Sequence, residues 1–166
     1  MTNNIKNVRP TNKSVFKQGY YSPKYFKKYR GDYTNIIYRS SWEHRFMVYC
    51  DLSGHVLEWS SEPISIDYIS PLDNRKHKYF IDFYMKIKVD DQNIKEYLIE
   101  VKPKKQYMVK PVLEGKKTPK KIERYKNEMQ TWLINNAKFA AAIEYAQTVN
   151  MEFKIINESH LNGIKL

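Results

Sequence analysis

The chain has 166 residues, enough for a single domain with its own hydrophobic core. Its one cysteine excludes an internal disulfide, and the four histidines have no second cysteine with which to form a structural zinc site. No stretch approaches the roughly 20 apolar residues of a membrane span, and the first residues lack the apolar core of a secretory signal. We therefore expect neither a membrane segment nor a structural zinc ion.

The positive charge, a net +11, is concentrated in two blocks. Residues 1–30 hold eight basic and no acidic residues, and residues 101–126 hold ten basic and two acidic ones. Such blocks suit a polyanion, because contact with phosphates releases condensed counterions, and interleaved aromatic residues could stack on bases. A solubilising tail with a solvated loop is the alternative, and an acidic membrane surface is a more remote one. Nucleic acid is the favoured partner.

The first third of the chain combines a polar segment with one clear helix. Residues 1–34 are basic and aperiodic, so we interpret them as an arm whose ordering can await binding, and residues 35–166 as the domain. Ser40 with Glu43 three places on forms a capping box. Apolar residues then recur at helical spacing, which predicts a helix over 41–52.

The remainder predicts short strands followed by a long helix and a last strand. Predicted strands lie at 56–59, 64–68, about 78–89, about 95–102 and 151–157, and the turn DDQN joins the two longest. Residues 103–119 predict a loop, and a long helix begins at Thr118 and Pro119. One face of that helix is predicted to carry Tyr125, Met129, Trp132, Leu133, Asn136, Ala140, Ile143, Ala146 and Gln147. This order predicts an α/β (α+β) fold with a mixed β-sheet flanked by helices.

The two longest strands place charged residues among apolar ones. Alternation predicts buried faces formed by Ile81, Phe83, Met85, Ile87 and Val89 on one strand and by Tyr97, Ile99 and Val101 on the other. The opposite faces carry Asp82 on the first strand and Glu100 with Lys102 on the second. With the turn centred near Asp91, the strands pair so that Asp82 lies opposite Glu100.

Opposed carboxylates destabilise a sheet unless a cation lies between them. Asp82 and Glu100, with the Val101 carbonyl and water, would hold Mg²⁺, and Mn²⁺ is also compatible. Lys102 on the same face would position a water or stabilise charge on a phosphate. The alternative, which stays open at this point, is a solvated face on which Glu100 pairs with Lys102.

These residues resemble a known nuclease signature. Asp82, followed by Glu100 and Lys102 at the end of the next strand, resembles the D…ExK motif of the PD-(D/E)xK superfamily, with Ile81 at the usual proline position. The run YRSSWE resembles the N-terminal helix motif of its TnsA-like branch. The resemblance covers about 36–157 and implies a restriction-endonuclease-like core and a metal-dependent DNA endonuclease. It also implies that Glu43 completes the acidic site, whereas pure helix capping is the rival role.

Three longer runs, YRSSWEHRFMVYCD, SPLDNRKHKYFIDF and YLIEVKPKKQ, look like those of the head-completion nucleases of T-even-type bacteriophages. This likeness implies an enzyme that processes packaged DNA ends before tail joining. It implies double-stranded DNA and phage portal or head proteins as partners, and a place in the host cytoplasm with the phage head or virion. The rivals are a structural portal-binding protein with little catalysis and a repair or transposition nuclease of the same branch.

Basic residues of both blocks are predicted to bind the DNA backbone. They are Lys27, Lys28, Arg30, Lys104, Lys105, Lys110, Lys116, Lys117, Lys120, Lys121 and Arg124. A mobile basic loop is the alternative for the second group. No pattern in the sequence indicates a reader of base edges, so we expect weak sequence preference.

Overall fold

A computed structural model of the chain describes residues 18–163, which form eight strands and three α-helices. The strands are β1 (Gly19–Tyr21), β2 (Ile36–Tyr38), β3 (Val56–Ser61), β4 (Ser65–Ile69), β5 (Lys76–Phe80), β6 (Phe83–Lys88), β7 (Ile94–Val101) and β8 (Glu152–Ile156). The helices are α1 (Ser41–Leu52), α2 (Pro119–Thr148) and α3 (Glu158–Gly163), with 3₁₀ turns at Phe26–Lys28 and Lys104–Gln106. The predicted fold class is confirmed.

A mixed four-stranded sheet in the order β3-β6-β7-β8 forms the centre of the molecule. Its first three strands are antiparallel neighbours, whereas β7 and β8 are parallel and are joined by a crossover that contains α2. The predicted hairpin register is confirmed, because Phe83 pairs with Ile99 and Tyr84 with Leu98. One further step along this ladder brings Asp82 beside Glu100. The strand pairs β1-β2 and β4-β5 form two separate small sheets.

Both faces of the central sheet are buried, whereas the sequence predicted burial of only one face. On the α1 side the core contains Phe46, Met47, Cys50, Trp59, Phe83, Met85, Tyr97 and Ile99. On the α2 side it contains Ile66, Tyr68, Tyr79, Ile81, Leu98, Phe139, Ala142 and Ala146. Consecutive residues of β7 therefore enter different cores, which explains the uninterrupted apolar run from Tyr97 to Ile99.

The predicted strand over 78–89 is wrong, because the chain breaks at Ile81 and Asp82 into β5 and β6. The loop between β3 and β4 holds the break: the Ile81 amide donates to the Ile64 carbonyl (3.2 Å), and the Glu62 amide donates to the Asp82 carbonyl (2.8 Å). The break also ends the expected alternation. Ile81 therefore lies in the α2-side core instead of beside Phe83, and Val89, at the far end, is exposed.

Helix α2 begins where predicted, because the Thr118 side chain accepts a hydrogen bond from the Lys121 amide and Pro119 occupies the first turn. Its predicted face is correct at Ala146, which is buried, and wrong by about one residue before it: Asn136, Ala140 and Ile143 are exposed, and Asn135, Phe139 and Ala142 are buried instead. Alanines on several faces blur the apolar stripe. Asn135 is accommodated because its side-chain amide donates to the Gln106 carbonyl (3.1 Å). Within residues 18–163 no helix is long and apolar enough to cross a bilayer.

The segment 18–34 packs on the domain through the buried side chain of Asp51. This carboxylate accepts hydrogen bonds from the Tyr21 hydroxyl (2.9 Å) and from the backbone amides of Lys24 (2.7 Å) and Tyr25 (2.8 Å). The Lys28 ammonium donates to the carbonyls of Asp51 (3.0 Å) and Ser53 (2.7 Å), at the C-terminal end of α1. The division into an arm (1–34) and a domain (35–166) stays a prediction, and residues 1–17 lie outside the described residues.

Asp51→Ala should lower the free energy of unfolding by about 3 kcal/mol, because a hydroxyl and two backbone amides lose their acceptor. Urea denaturation measures this loss. Tyr21→Phe, which removes one of the three bonds, should cost about 1 kcal/mol. Equal stabilities of the two variants would contradict the central role of Asp51.

Candidate active site

The central hairpin brings three predicted site residues together at one end of the sheet. Asp82 immediately precedes β6, Glu100 is the penultimate residue of β7, and Lys102 follows that strand. Because β6 and β7 are antiparallel, the start of one lies beside the end of the other. The break after β5 frees the Asp82 side chain from the regular ladder and turns it toward β7.

Hydrogen bonds link these residues into one cluster around the buried Glu100, with Asp82 and Lys102 half-buried. Asp82 Oδ2 accepts from the Val101 amide (2.8 Å). The two oxygens of Glu100 have different partners: Oε1 lies 2.7 Å from Lys102 Nζ, and Oε2 accepts from the Tyr79 hydroxyl at 2.7 Å. Glu100 is only 3% exposed, so these contacts replace water almost completely.

The pKa values of Asp82 and Lys102 are both raised, but for different reasons. Burial raises the pKa of Asp82 well above its usual range, and the nearby charge of Glu100 raises it further, while the Val101 amide and Lys102 oppose the shift. Burial alone would lower the pKa of Lys102, but the charge of Glu100 and the hydrogen bond to it outweigh burial and raise that pKa. Lys102 is therefore an ammonium ion suited to stabilising negative charge.

Glu43 lies at the margin of the cluster and caps α1. Its Oε1 accepts from the Ser40 hydroxyl (2.9 Å) and its Oε2 from the backbone amide of Arg39 (2.8 Å), one residue before the amide expected from a capping box. Its charge nevertheless acts on both Asp82 and Lys102. Capping and a place beside the acidic cluster therefore coexist in this side chain.

The donor set fits a divalent ion held mainly by two carboxylates. Across residues 18–163, no three His, Cys, Asp or Glu side chains gather closely enough to hold a metal ion. Mg²⁺ does not require three, because it is usually bound through one or two carboxylates and keeps water and substrate phosphate as its other ligands. Asp82 and Glu100 supply hard oxygen donors, and with Glu43 they leave the cluster negative after Lys102 is counted.

Five of the basic residues predicted to bind DNA line one groove between the 3₁₀ turn after β7 and the start of α2. This basic groove has a volume of about 1290 Å³, and its cations are Lys105, Lys110, Lys120, Lys121 and Arg124. Lys116 and Lys117 are exposed in the adjoining loop. Lys104 donates to the Ser159 hydroxyl (2.7 Å) instead of lining the groove.

The three predicted DNA contacts of the first block have different surroundings. Lys27 is exposed, and Lys28 is bound to the end of α1. The Arg30 guanidinium lies 5.4 Å from the centre of the Tyr84 ring. Only part of this set is therefore placed on an open basic surface.

Two interactions around Asp82 and Glu100 were not predicted from the sequence. Tyr79 donates to Glu100 and so orients that carboxylate. Arg39 forms an ion pair with Glu62, whose backbone has a positive φ of 46° and whose amide binds the Asp82 carbonyl. The position of Glu62 directly before Pro63 was a signal that this acid could lie near the site. No local sequence pattern pairs Arg39 with Glu62.

Lys102→Met should reduce the free energy of unfolding in EDTA by about 3 kcal/mol, because it leaves Glu100 buried without its cation. Adding Glu100→Gln should restore at least half of this loss, and urea denaturation of both singles and the double gives the coupling. Lys88→Met is the control, since its partner Asp91 is at the same 2.7 Å but almost fully exposed. Strict additivity of the Lys102 and Glu100 changes would contradict the coupling.

Comparison with known proteins indicates similarity to enzymes that cleave nucleic acids. The model of the TnsA-like endonuclease N-terminal domain matches residues 53–158, which contain Asp82, Glu100 and Lys102 but not Glu43. The head completion nuclease of Enterobacteria phage T4 is 36% identical over 146 residues, which cover 88% of this chain and 94% of that protein. The matched region therefore includes the sheet and the entire buried cluster.

Proposed function

The chain belongs to the TnsA-like endonuclease family, and from this premise we propose that it is a metal-dependent DNA endonuclease with Asp82, Glu100 and Lys102 as its active site. The observation that carries the proposal is the clustering of the buried Glu100 carboxylate with the half-buried side chains of Asp82 and Lys102 at one end of the family-matched sheet. Family membership makes the protein a hydrolase that acts on DNA. The metal and the role of each residue are the proposal.

Asp82 and Glu100 would hold the ion, with the Val101 carbonyl as a further oxygen ligand and Glu43 completing the acidic site. The family implies a divalent metal, and these oxygen donors suit Mg²⁺ or Mn²⁺. When bound, such an ion supplies charge that polarises the phosphate and activates water. Its positive charge would also favour the ionised form of Asp82, which burial disfavours.

The side chains of this protein then position the reactants. The Lys102 ammonium uses one hydrogen bond on Glu100 and can direct the others at the attacking water or at the phosphate oxygens. The Tyr79 hydroxyl prevents rotation of the Glu100 carboxylate, so Oε1 stays directed at Lys102. Developing negative charge on the phosphate thus meets a cation that needs no reorganisation, which is the main source of rate in such sites.

The biological setting follows from the relative. The alignment with a phage head completion nuclease, 36% identical over 94% of that protein's length, supports the same setting here. We place this enzyme in phage head completion, where it processes packaged double-stranded DNA ends before tail joining. Its partners would be portal or head proteins, and it would be found in the infected host cell with the phage head or virion.

Asp82→Asn should abolish plasmid cleavage in Mg²⁺ or Mn²⁺, at least 10³-fold, because a ligand and a negative charge are lost. DNA binding, measured by fluorescence anisotropy, should persist or strengthen. Asp91→Asn, in an exposed turn, is the control and should cut like wild type, and EDTA should stop both. No cutting by wild type with any metal, while DNA is still bound, would favour the structural head protein over the enzyme.

The basic groove should bind the phosphates of the DNA backbone. Replacing Lys110, Lys120 and Arg124 together by glutamine should reduce the slope of log K against log salt by about 2 to 3, since each phosphate contact contributes about 0.9. The control replaces Lys76, Lys88 and Lys95, each of which is paired with an acid outside the groove. Equal slopes for the two triple variants would remove the groove from DNA binding.

A further inference from the structure

A second lysine, Lys138 of α2, approaches the buried cluster from the helix side of the sheet. Its Nζ lies 5.3 Å from the centre of the Tyr79 ring and 5.7 Å from that of Tyr68. Tyr79 in turn donates to Glu100. One aromatic side chain therefore links Lys138 to the acid at the centre of the candidate site.

Lys138 has no anionic partner in the described part of the chain. Among residues 18–163 its ammonium forms no hydrogen bond or ion pair and lies over the faces of the Tyr68 and Tyr79 rings. Lys102, by contrast, is bound to Glu100. Ring faces compensate a half-buried ammonium only partly, and methionine or leucine would fill the same space without a charge to desolvate.

The surroundings of Lys138 add to this cost. Burial lowers the pKa of its ammonium and the positive charge of Lys102 lowers it further, while Glu100 and Asp82 act in the opposite direction. The two lysines are therefore close enough to repel each other. An anion that reaches both of them would relieve the repulsion, and the substrate of a nuclease supplies such an anion.

We propose that Lys138 is a phosphate-binding residue of the active site, which contacts a non-bridging oxygen of the DNA backbone that Asp82, Glu100 and Lys102 cleave. This proposal rests on the proposed function. Lys102 would reach the phosphate from the end of β7, and Lys138 would reach it, or the phosphate next to it, from α2. Two cations on separate elements fix the position of the phosphodiester better than either alone.

The position of Lys138 along α2 also connects the site with the basic groove. From Arg124 to Lys138 the helix makes about four turns, so the two side chains project to the same side about 21 Å apart. This is the axial length of about six base pairs. One helix therefore carries cations both at the basic groove and beside the candidate site.

The test compares Lys138→Met, which keeps the length of the stem, with Lys138→Arg, which keeps the charge. Lys154→Met is the control, because Lys154 also lies over a ring, that of Tyr97 at 4.1 Å, but pairs with Glu152 (3.9 Å) and stands beside Ile99 of the α1-side core. The readouts are the melting temperature, the salt slope of binding to a short duplex in EDTA, and single-turnover cleavage in Mg²⁺ at saturating DNA.

We expect Lys138→Met to reduce the salt slope by about one and to slow cleavage about 100-fold, with a melting temperature no lower than that of Lys154→Met. Lys138→Arg should recover most of the rate. A wild-type salt slope and rate in Lys138→Met would overturn the proposal, as would a rate loss that Lys138→Arg does not recover. If the wild type fails to cleave, the proposed function fails, and the salt slope still decides whether Lys138 binds phosphate.

Discussion

The structure depends on two adjacent carboxylates that are largely withdrawn from water, the half-buried Asp82 at the junction between β5 and β6 and the buried Glu100 of β7. Like charges out of water are unfavourable, and the fold compensates them only in part, through one ammonium, one amide and one phenol hydroxyl. Hydrophobic residues at both positions would make a more stable sheet. The pair therefore makes sense as a site that receives a cation, which connects the architecture with the chemistry of the family.

The surrounding architecture connects this pair with the core on the α2 side. The break at Ile81 and Asp82 separates the small β4-β5 sheet from the central sheet, and that small sheet packs under α2 through Ile66, Tyr68 and Tyr79. Tyr79 thereby becomes common to the second core and to the candidate site. A change in how α2 packs would reach Glu100 through this one side chain, so stability and chemistry are coupled at this point.

The features that the sequence predicted correctly depend on near neighbours. The start of α1 depends on Ser40, the start of α2 on Thr118, and the register of the hairpin on its turn, and all three are present in the structure. Asp82 and Glu100 belong to one hairpin, so their juxtaposition could be predicted in the same way. Their roles in metal binding and cleavage stay predictions.

The features that the sequence did not predict depend on distant contacts. The break in the strand is held by the loop after β3, and the buried face of α2 is selected by what packs beneath it, since alanine fits on any side. The packing of residues 18–34 depends on Asp51, more than twenty positions along the chain. Lys138 escaped notice for the same reason, because its neighbours Tyr68 and Tyr79 lie on a hairpin remote in sequence.

The parallel pairing of β7 with β8 has a consequence for the order of folding. Asp82, Glu100 and Lys102 are joined by a local hairpin, whereas β8 can pair only after the chain has passed through all of α2. Local contacts form faster than those that close a long loop. The acids are thus brought together first and desolvated later, when α2 and β8 dock. A divalent ion bound only by the finished site would therefore oppose undocking of α2 and slow the first step of unfolding.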